Sequence, residues 1–228
     1  MWQPVFLPQN EDPVNGTDPD TCVREWLDDL RDAGLEVSGV LGYCAGSTLA
    51  VRLADLIRES CPREPAIVLL DPSRVGGAVI QEHFVSSARA YAEVLAPERI
   101  QAAVAAAARV TDSLGADLAE LGAGVLADAM RDLQRLYDGV VQSVCEALGA
   151  GDDVGTSFSQ RFAAFLSYLA TAGRAGVHPA KCADVTVVVS EEHRLHDGFG
   201  VADHRVPVSR AALLADPSVA GIVARAVS

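Results

Sequence analysis

Lysine is almost absent from this chain. Its 228 residues hold one lysine, Lys181, and seventeen arginines against 31 carboxylates, for a formal net charge of -13. Binding to nucleic acid without regard to sequence needs clustered cations, and these arginines are scattered, so a nucleic-acid partner is not expected. No apolar run reaches the ~18 residues of a membrane span, and the N-terminal MWQPVFLPQNED has neither a positive n-region nor an apolar h-region. The five cysteines, Cys22, Cys44, Cys61, Cys145 and Cys182, are odd in number, irregularly spaced and free of any C-x-x-C pair. That pattern argues against a disulfide framework and against a zinc or redox motif. The expectation is a cytoplasmic protein with free thiols, no membrane segment and no metal. No internal repeat and no low-complexity tail is seen.

Half of the residues are apolar, enough for one sizeable core. PVFLP (Pro4 to Pro8) reads as a short strand followed by the turn-rich QNEDPVNGTDPD. From Asp20 to Ala33, Val23, Trp26, Leu27 and Leu30 recur at helical spacing, with Gly34 as C-cap. LEVSGVL (Leu35 to Leu41) reads as a second strand, Ala45 to Ser60 as a helix with a stripe of Leu49, Leu53, Leu56 and Ile57, and AIVLLD (Ala66 to Asp71) as a strand covered on both faces. Strands alternating with helices imply a parallel sheet.

The pattern changes between Arg74 and Ala183. Strand-like runs vanish, and apolar residues recur with helical period, as in Leu118, Leu121, Val125, Leu126, Met130, Leu133, Leu136, Tyr137, Val140, Val141 and Val144, then Phe158, Phe162, Phe165, Leu166 and Leu169. Such stripes are what core-facing helices require, and part of one would also suit a homodimer face. The parallel pattern resumes at VTVVVS (Val185 to Ser190) and closes on an amphipathic helix over Ser209 to Val227. The domain reading is therefore a core of residues 1–73 and 184–228, interrupted by a helical insertion at 74–183.

The residues with chemical content sit where LEVSGVL meets the next helix. Gly42, Tyr43, Cys44, Ala45 and Gly46 form G-x-Cys-x-G at a strand-to-helix junction, the arrangement of a nucleophile elbow. Glycines let the chain turn sharply, and the helix N-terminus behind the cysteine favours an anionic sulfur and offers the Ala45 N–H to a developing oxyanion. A buried structural cysteine is the competing reading, and the other four cysteines are read that way.

GVLGYCAGSTLAVRLADLI, together with VFLP, AIVLLDP and VTVVVSEEH, resembles the thioesterase branch of the α/β-hydrolases, whose members release polyketides and nonribosomal peptides from their carriers. The resemblance implies an α/β-hydrolase fold with a mostly parallel sheet and the helical insertion as a lid over the elbow. Strands that the family places before the one matched by PVFLP are expected to be missing here. The second oxyanion donor, which a loop after one of those strands supplies, would then come from QNED or from the lid, or the protein would be a weak hydrolase.

Most members use serine at the elbow and some use cysteine. The resemblance further implies Cys44 as nucleophile, Asp71 as the acid that orients an imidazole, and His204, in DHRVP before the last helix, as base. His193 and His196 are rivals for that role, and His83 and His178 read as surface residues. A helix-cap or turn role ahead of Pro72 competes for Asp71. H-x-x-H at His193 and His196 fixes no common ligand face on a loop.

The substrate implied is an acyl or peptidyl group on the phosphopantetheine of a carrier protein, with no other cofactor. Attack by Cys44 on a thioester makes another thioester, so hydrolytic release, cyclisation and transfer to another carrier all follow from one intermediate. The apolar surplus favours a greasy acyl chain. Carrier proteins of this kind are acidic, so docking on an acidic chain would need local arginines, and Arg74, Arg89, Arg205 and Arg210 are the candidates. The alternatives are a non-catalytic acyl-binding or scaffold member of the fold, and a pocket repurposed for isomerisation or cyclisation without a covalent intermediate.

Overall fold

The computed structural model describes residues 18–60, 64–177 and 185–227. The strand expected at PVFLP and the QNED segment lie outside the described residues, as do Cys61, His178, Lys181 and Cys182. In chain order the elements are α1 (Pro19–Asp32), β1 (Gly39–Tyr43), α2 (Gly46–Ser60), β2 (Ala66–Leu70), α3 (Gly77–Arg89), α4 (Pro97–Asp112), α5 (Ala123–Leu148), α6 (Asp152–Ala175), β3 (Val185–Ser190), β4 (His204–Val206) and α7 (Pro217–Ala226). Two compact units result: residues 18–74 with those from Ala175 onwards, and residues 75–174. Among the described residues the architecture is α/β with an all-parallel sheet of four strands in the order β1-β2-β3-β4.

In the sheet unit, AIVLL and VTVVVS lack polar alternation because both faces of their strands are covered. Ile67, Val68, Leu69, Leu70, Val187, Val188 and Val189 are all buried. Successive side chains point to opposite faces. Gly42 and Leu69 face α2, and the backbones approach so closely there that a Cβ on Gly42 would lie 2.6 Å from Ser47 Cα. Val68, Leu70, Val188 and Val206 face the other way and pack with Leu213, Val219, Ile222 and Val223 of the C-terminal segment. The sheet thus has α2, with α1 packed on it, over one face and α7 over the other. Each fully buried Val, Leu or Ile contributes about 1.5–3 kcal/mol by leaving water.

Three boundaries differ from the sequence expectation for local reasons. β1 begins at Gly39 and not at Leu35, because α1 ends in a Schellman motif: Gly34 takes φ 66°, its N–H donates to Arg31 O and the Leu35 N–H donates to Leu30 O. Leu35 to Ser38 is therefore the exit of the helix. DHRVP is not all loop; His204–Val206 pairs in parallel with Val188 to Ser190 as the strand β4. The C-terminal helix does not start at Ser209, because Pro217 sets its first turn and the Asp216 carboxylate caps it, accepting from Ser218 N at 2.8 Å.

The second unit is helical and built on aromatic packing. Tyr137 of α5 stacks on Phe162 of α6 with ring centroids 3.9 Å apart, and Phe84 of α3 meets both rings edge-on. The Tyr137 hydroxyl shares a 3.0 Å hydrogen bond with Tyr91, and burial raises its pKa. Gln134, Asp138 and Ser159 tie α5 to α6, the Ser159 hydroxyl donating to Asp138 Oδ1 at 2.6 Å. His83 lies edge-on to Phe165 at 4.9 Å, so it is part of this packing. No helix among the described residues is long and apolar enough to cross a membrane.

Candidate active site

Two residues other than glycine, among those described, adopt a positive φ: Cys44 at 53° and Asp71 at 44°. Side chains with a Cβ are strained there, at about 1–3 kcal/mol each. Both follow the C-terminal ends of adjacent parallel strands, the edge at which α/β sheets bind ligands.

The turn at Cys44 is held by backbone alone. Its N–H donates to Leu70 O at 3.0 Å, and its carbonyl accepts from Ser47 N at 3.1 Å and from Ser73 N at 3.2 Å. Strand β1 therefore stays paired up to the cysteine, and α2 begins two residues later. Because α2 crosses so close to Gly42, no side chain fits at that first glycine. The thiol is half-buried, next to the helix N-terminus. The N–H of the buried Ala45 has no acceptor among the described residues.

The side chain against the sulfur is Arg210, whose Nη2 donates to Cys44 Sγ at 2.5 Å and reaches Ser73 Oγ at 3.5 Å. Arg210 lies in the turn after β4, anchored by the buried Leu213, whose N–H donates to Arg210 O. Burial works against its charge, but the Cys44 sulfur, the Tyr43 hydroxyl and the Asp71 carboxylate outweigh that cost and hold the guanidinium above its usual pKa. It has no carboxylate within ion-pair distance among the described residues.

Asp71 is completely buried and its carboxylate is satisfied by β3: Ser190 N–H donates to Oδ1 and the Ser190 hydroxyl to Oδ2, both at 2.7 Å. Its own N–H donates to Val188 O at 2.9 Å. The imidazole that faces it belongs to His193, Nδ1 standing 4.0 Å from Oδ1 while Nε2–H donates to Pro72 O at 3.1 Å. That second bond fixes the protonated nitrogen of a neutral ring as Nε2.

The structure thus brings together Cys44, Ala45, Asp71 and Arg210, with Gly42, Tyr43 and Gly46 around the turn, and does not bring His204 to them. His204 is exposed on β4, three strand spacings from the elbow strand, or about 14 Å. Pairing with Val188 holds its segment in the sheet and apart from the elbow. His196 is exposed as well, and His193 has its Nε2 engaged by Pro72. Among the described residues, then, the sulfur has a cation for a partner and not an imidazole. A guanidinium donates but cannot take up a proton.

Arg205, one of the four arginines suggested for docking, instead closes the turn after β3, donating to the carbonyls of Ser190, Glu191 and His193. A cavity of about 580 Å³ lies elsewhere in this unit, between α1 and α2, where Asp20 pairs with Arg52 and Phe199 forms part of the wall. No group of three His, Cys, Asp or Glu side chains among the described residues is placed to hold a metal ion.

Sequence reasoning named Cys44 and Asp71, which the structure places after adjacent strands, but passed over Ser190 and gave Arg210 only a docking role. A serine ending a buried strand has no signature of its own. The one sign of Arg210 was its place in the segment where a base had been sought. Comparison with protein-family models and with curated proteins finds no match to this chain.

Proposed function

We propose that this protein is a cysteine-dependent acyltransferase of the thioesterase-like α/β-hydrolase type, acting on an acyl group carried as a thioester on phosphopantetheine, with the helical unit as its lid. The observation that carries the reading is the strained Cys44 at a strand-to-helix turn, with an Ala45 N–H that has no acceptor among the described residues on one side and a guanidinium on its sulfur. In the reaction, the Cys44 thiolate attacks the thioester carbonyl, the oxyanion is held by Ala45 N–H and an Arg210 N–H, and the C–S bond to pantetheine breaks. The pantetheine thiolate leaves and takes a proton from solvent. Arg210 would supply the second oxyanion donor, a contribution on the order of a hundredfold.

With no imidazole on the sulfur among the described residues, water is poorly activated for the return step. A thiolate or amine acceptor, which brings its own nucleophilicity, is favoured over hydrolysis. Transfer or cyclisation is therefore the leading outcome, and hydrolytic release the slower one. The same missing base favours a second reading, a non-catalytic acyl-binding or scaffold member of the fold.

Intact-protein mass spectrometry after mixing with acyl-pantetheine thioesters separates the two. An adduct present in the wild type and absent from Cys44→Ala, discharged faster by a thiol than by water, is the expected result. No adduct with any acyl group would overturn the enzyme reading.

A further inference from the structure

We infer that the acyl group transferred by Cys44 carries a carboxylate close to its thioester carbonyl, and that Arg210 selects it. The inference rests on the reading of Cys44 as an acyl-accepting nucleophile and names the substrate class of that site.

The guanidinium beside the sulfur, without an ion-pair partner, is the reason. Arg210 Nη2 stands against Cys44 Sγ, the Tyr43 hydroxyl also hydrogen-bonds the guanidinium, and no carboxylate lies within 4 Å of it among the described residues. The Asp71 carboxylate supports its charge from farther off, with its oxygens taken by Ser190. An acyl group bearing its own carboxylate, once bonded to Cys44, would give the guanidinium a direct ionic partner.

Arginine is also suited in shape. It has five N–H donors in a planar fork that matches a carboxylate in bidentate fashion; the sulfur and Ser73 engage Nη2 and the Tyr43 hydroxyl takes a further contact, which leaves donors over for a carboxylate. Since Nη2 touches the atom to which the acyl carbon is bonded, the remaining donors lie within reach of a carboxylate two or three carbons beyond that carbonyl. The ligand class is thus a monothioester of a short dicarboxylic acid, substituted or not. The apolar lining expected from composition would receive any substituent further along the chain.

The covalent step is the same as for any thioester. Cys44 Sγ forms a bond to the carbonyl carbon, the pantetheine C–S bond breaks, the pantetheine thiolate takes a proton from solvent, and the distal carboxylate is unchanged. No oxidant or reductant is needed.

The test compares second-order acylation rates for matched pairs of pantetheine thioesters, malonyl against propionyl and succinyl against butyryl, in wild type, Arg210→Gln and Arg194→Gln. A charge-assisted contact corresponds to a preference of roughly tenfold or more for the carboxylated member. That preference should fall to about one in Arg210→Gln and persist in Arg194→Gln, which removes an exposed arginine of the β3–β4 connection and so controls for general attraction of anions. Circular dichroism of each variant confirms folding, and the ratio of rates within one variant is insensitive to the amount of folded protein. Equal rates for the two members in wild type, or a preference that survives Arg210→Gln, would overturn the carboxylate inference while leaving the acyltransferase reading in place. Failure of all four thioesters to acylate Cys44 would overturn both.

Discussion

The helical unit and the sheet unit obey different rules. Between Val75 and Arg174 most of the apolar stripe is buried, with Val125 and Phe158 exposed, the aromatic rings stack, and no residue other than glycine has a positive φ. The sheet unit contains both strained residues, the half-buried thiol and a guanidinium in contact with that thiol. Local consistency marks structure, and its violation at the ends of β1 and β2 marks the place to look for a functional site.

The largest effect that would separate the two units is a core truncation among the helices. Phe84→Ala removes a fully buried ring in contact with Tyr137 and Phe162 and should cost about 3–5 kcal/mol in urea unfolding. The alkylation rate of Cys44 in the folded protein should stay as it was. If that rate falls in step with stability, the division between packing and chemistry is wrong.

Asp71→Ala comes next. It leaves the Ser190 N–H and hydroxyl buried without an acceptor, at about 2 kcal/mol, and it removes an anion that helps hold the Arg210 charge. Stability and thiol reactivity should therefore change together here, in contrast to Phe84→Ala.

Backbone strain gives a smaller effect. At φ 53° glycine is relaxed and alanine is not, so Cys44→Gly should be about 1 kcal/mol more stable than Cys44→Ala, despite the entropy glycine loses on folding. The reverse order in matched thermal melts would remove the argument that the elbow is strained.

The smallest effect concerns pH. Burial pushes the Cys22 thiol up to about 11 from an ordinary value of 9.0, with Glu25 adding to the shift. The unfolded chain therefore loses this proton first, and the native state binds more protons between pH 9 and about 11. Stability should fall through that window as pH rises, and Cys22→Ala should flatten the fall. Asp20 works in the opposite direction: the Arg52 guanidinium lowers its pKa, so its contribution is present above about pH 4 and is lost as pH falls below that.

The sequence made the order of strands and helices from Asp20 onward readable except for β4, because buried parallel strands such as VTVVVS and amphipathic helices have distinct periods. G-x-Cys-x-G at a strand-to-helix junction pointed to Cys44 for the same reason, since only a tight turn needs glycines so placed. The partner of the sulfur was not legible. Whether the segment after β3 offers His204 or Arg210 depends on where β4 starts, and a three-residue strand pairing with Val188 to Ser190 leaves no periodic trace. Asp71 was found by its position after β2, but its bond to Ser190 joins residues 119 apart in sequence, and no local pattern reports that.

The central claim is that Arg210, and neither His193 nor His204, sustains a reactive sulfur at Cys44. The direct measurement is the site-resolved rate of iodoacetamide alkylation, followed by peptide mass spectrometry in wild type, Arg210→Gln, His193→Ala and His204→Ala at pH 7. Cys44 should react faster than free cysteine and at least tenfold faster than the buried Cys22, slow markedly in Arg210→Gln, and keep its rate in both histidine variants. A rate no greater than that of Cys22, or one that depends on a histidine and ignores Arg210, would contradict it.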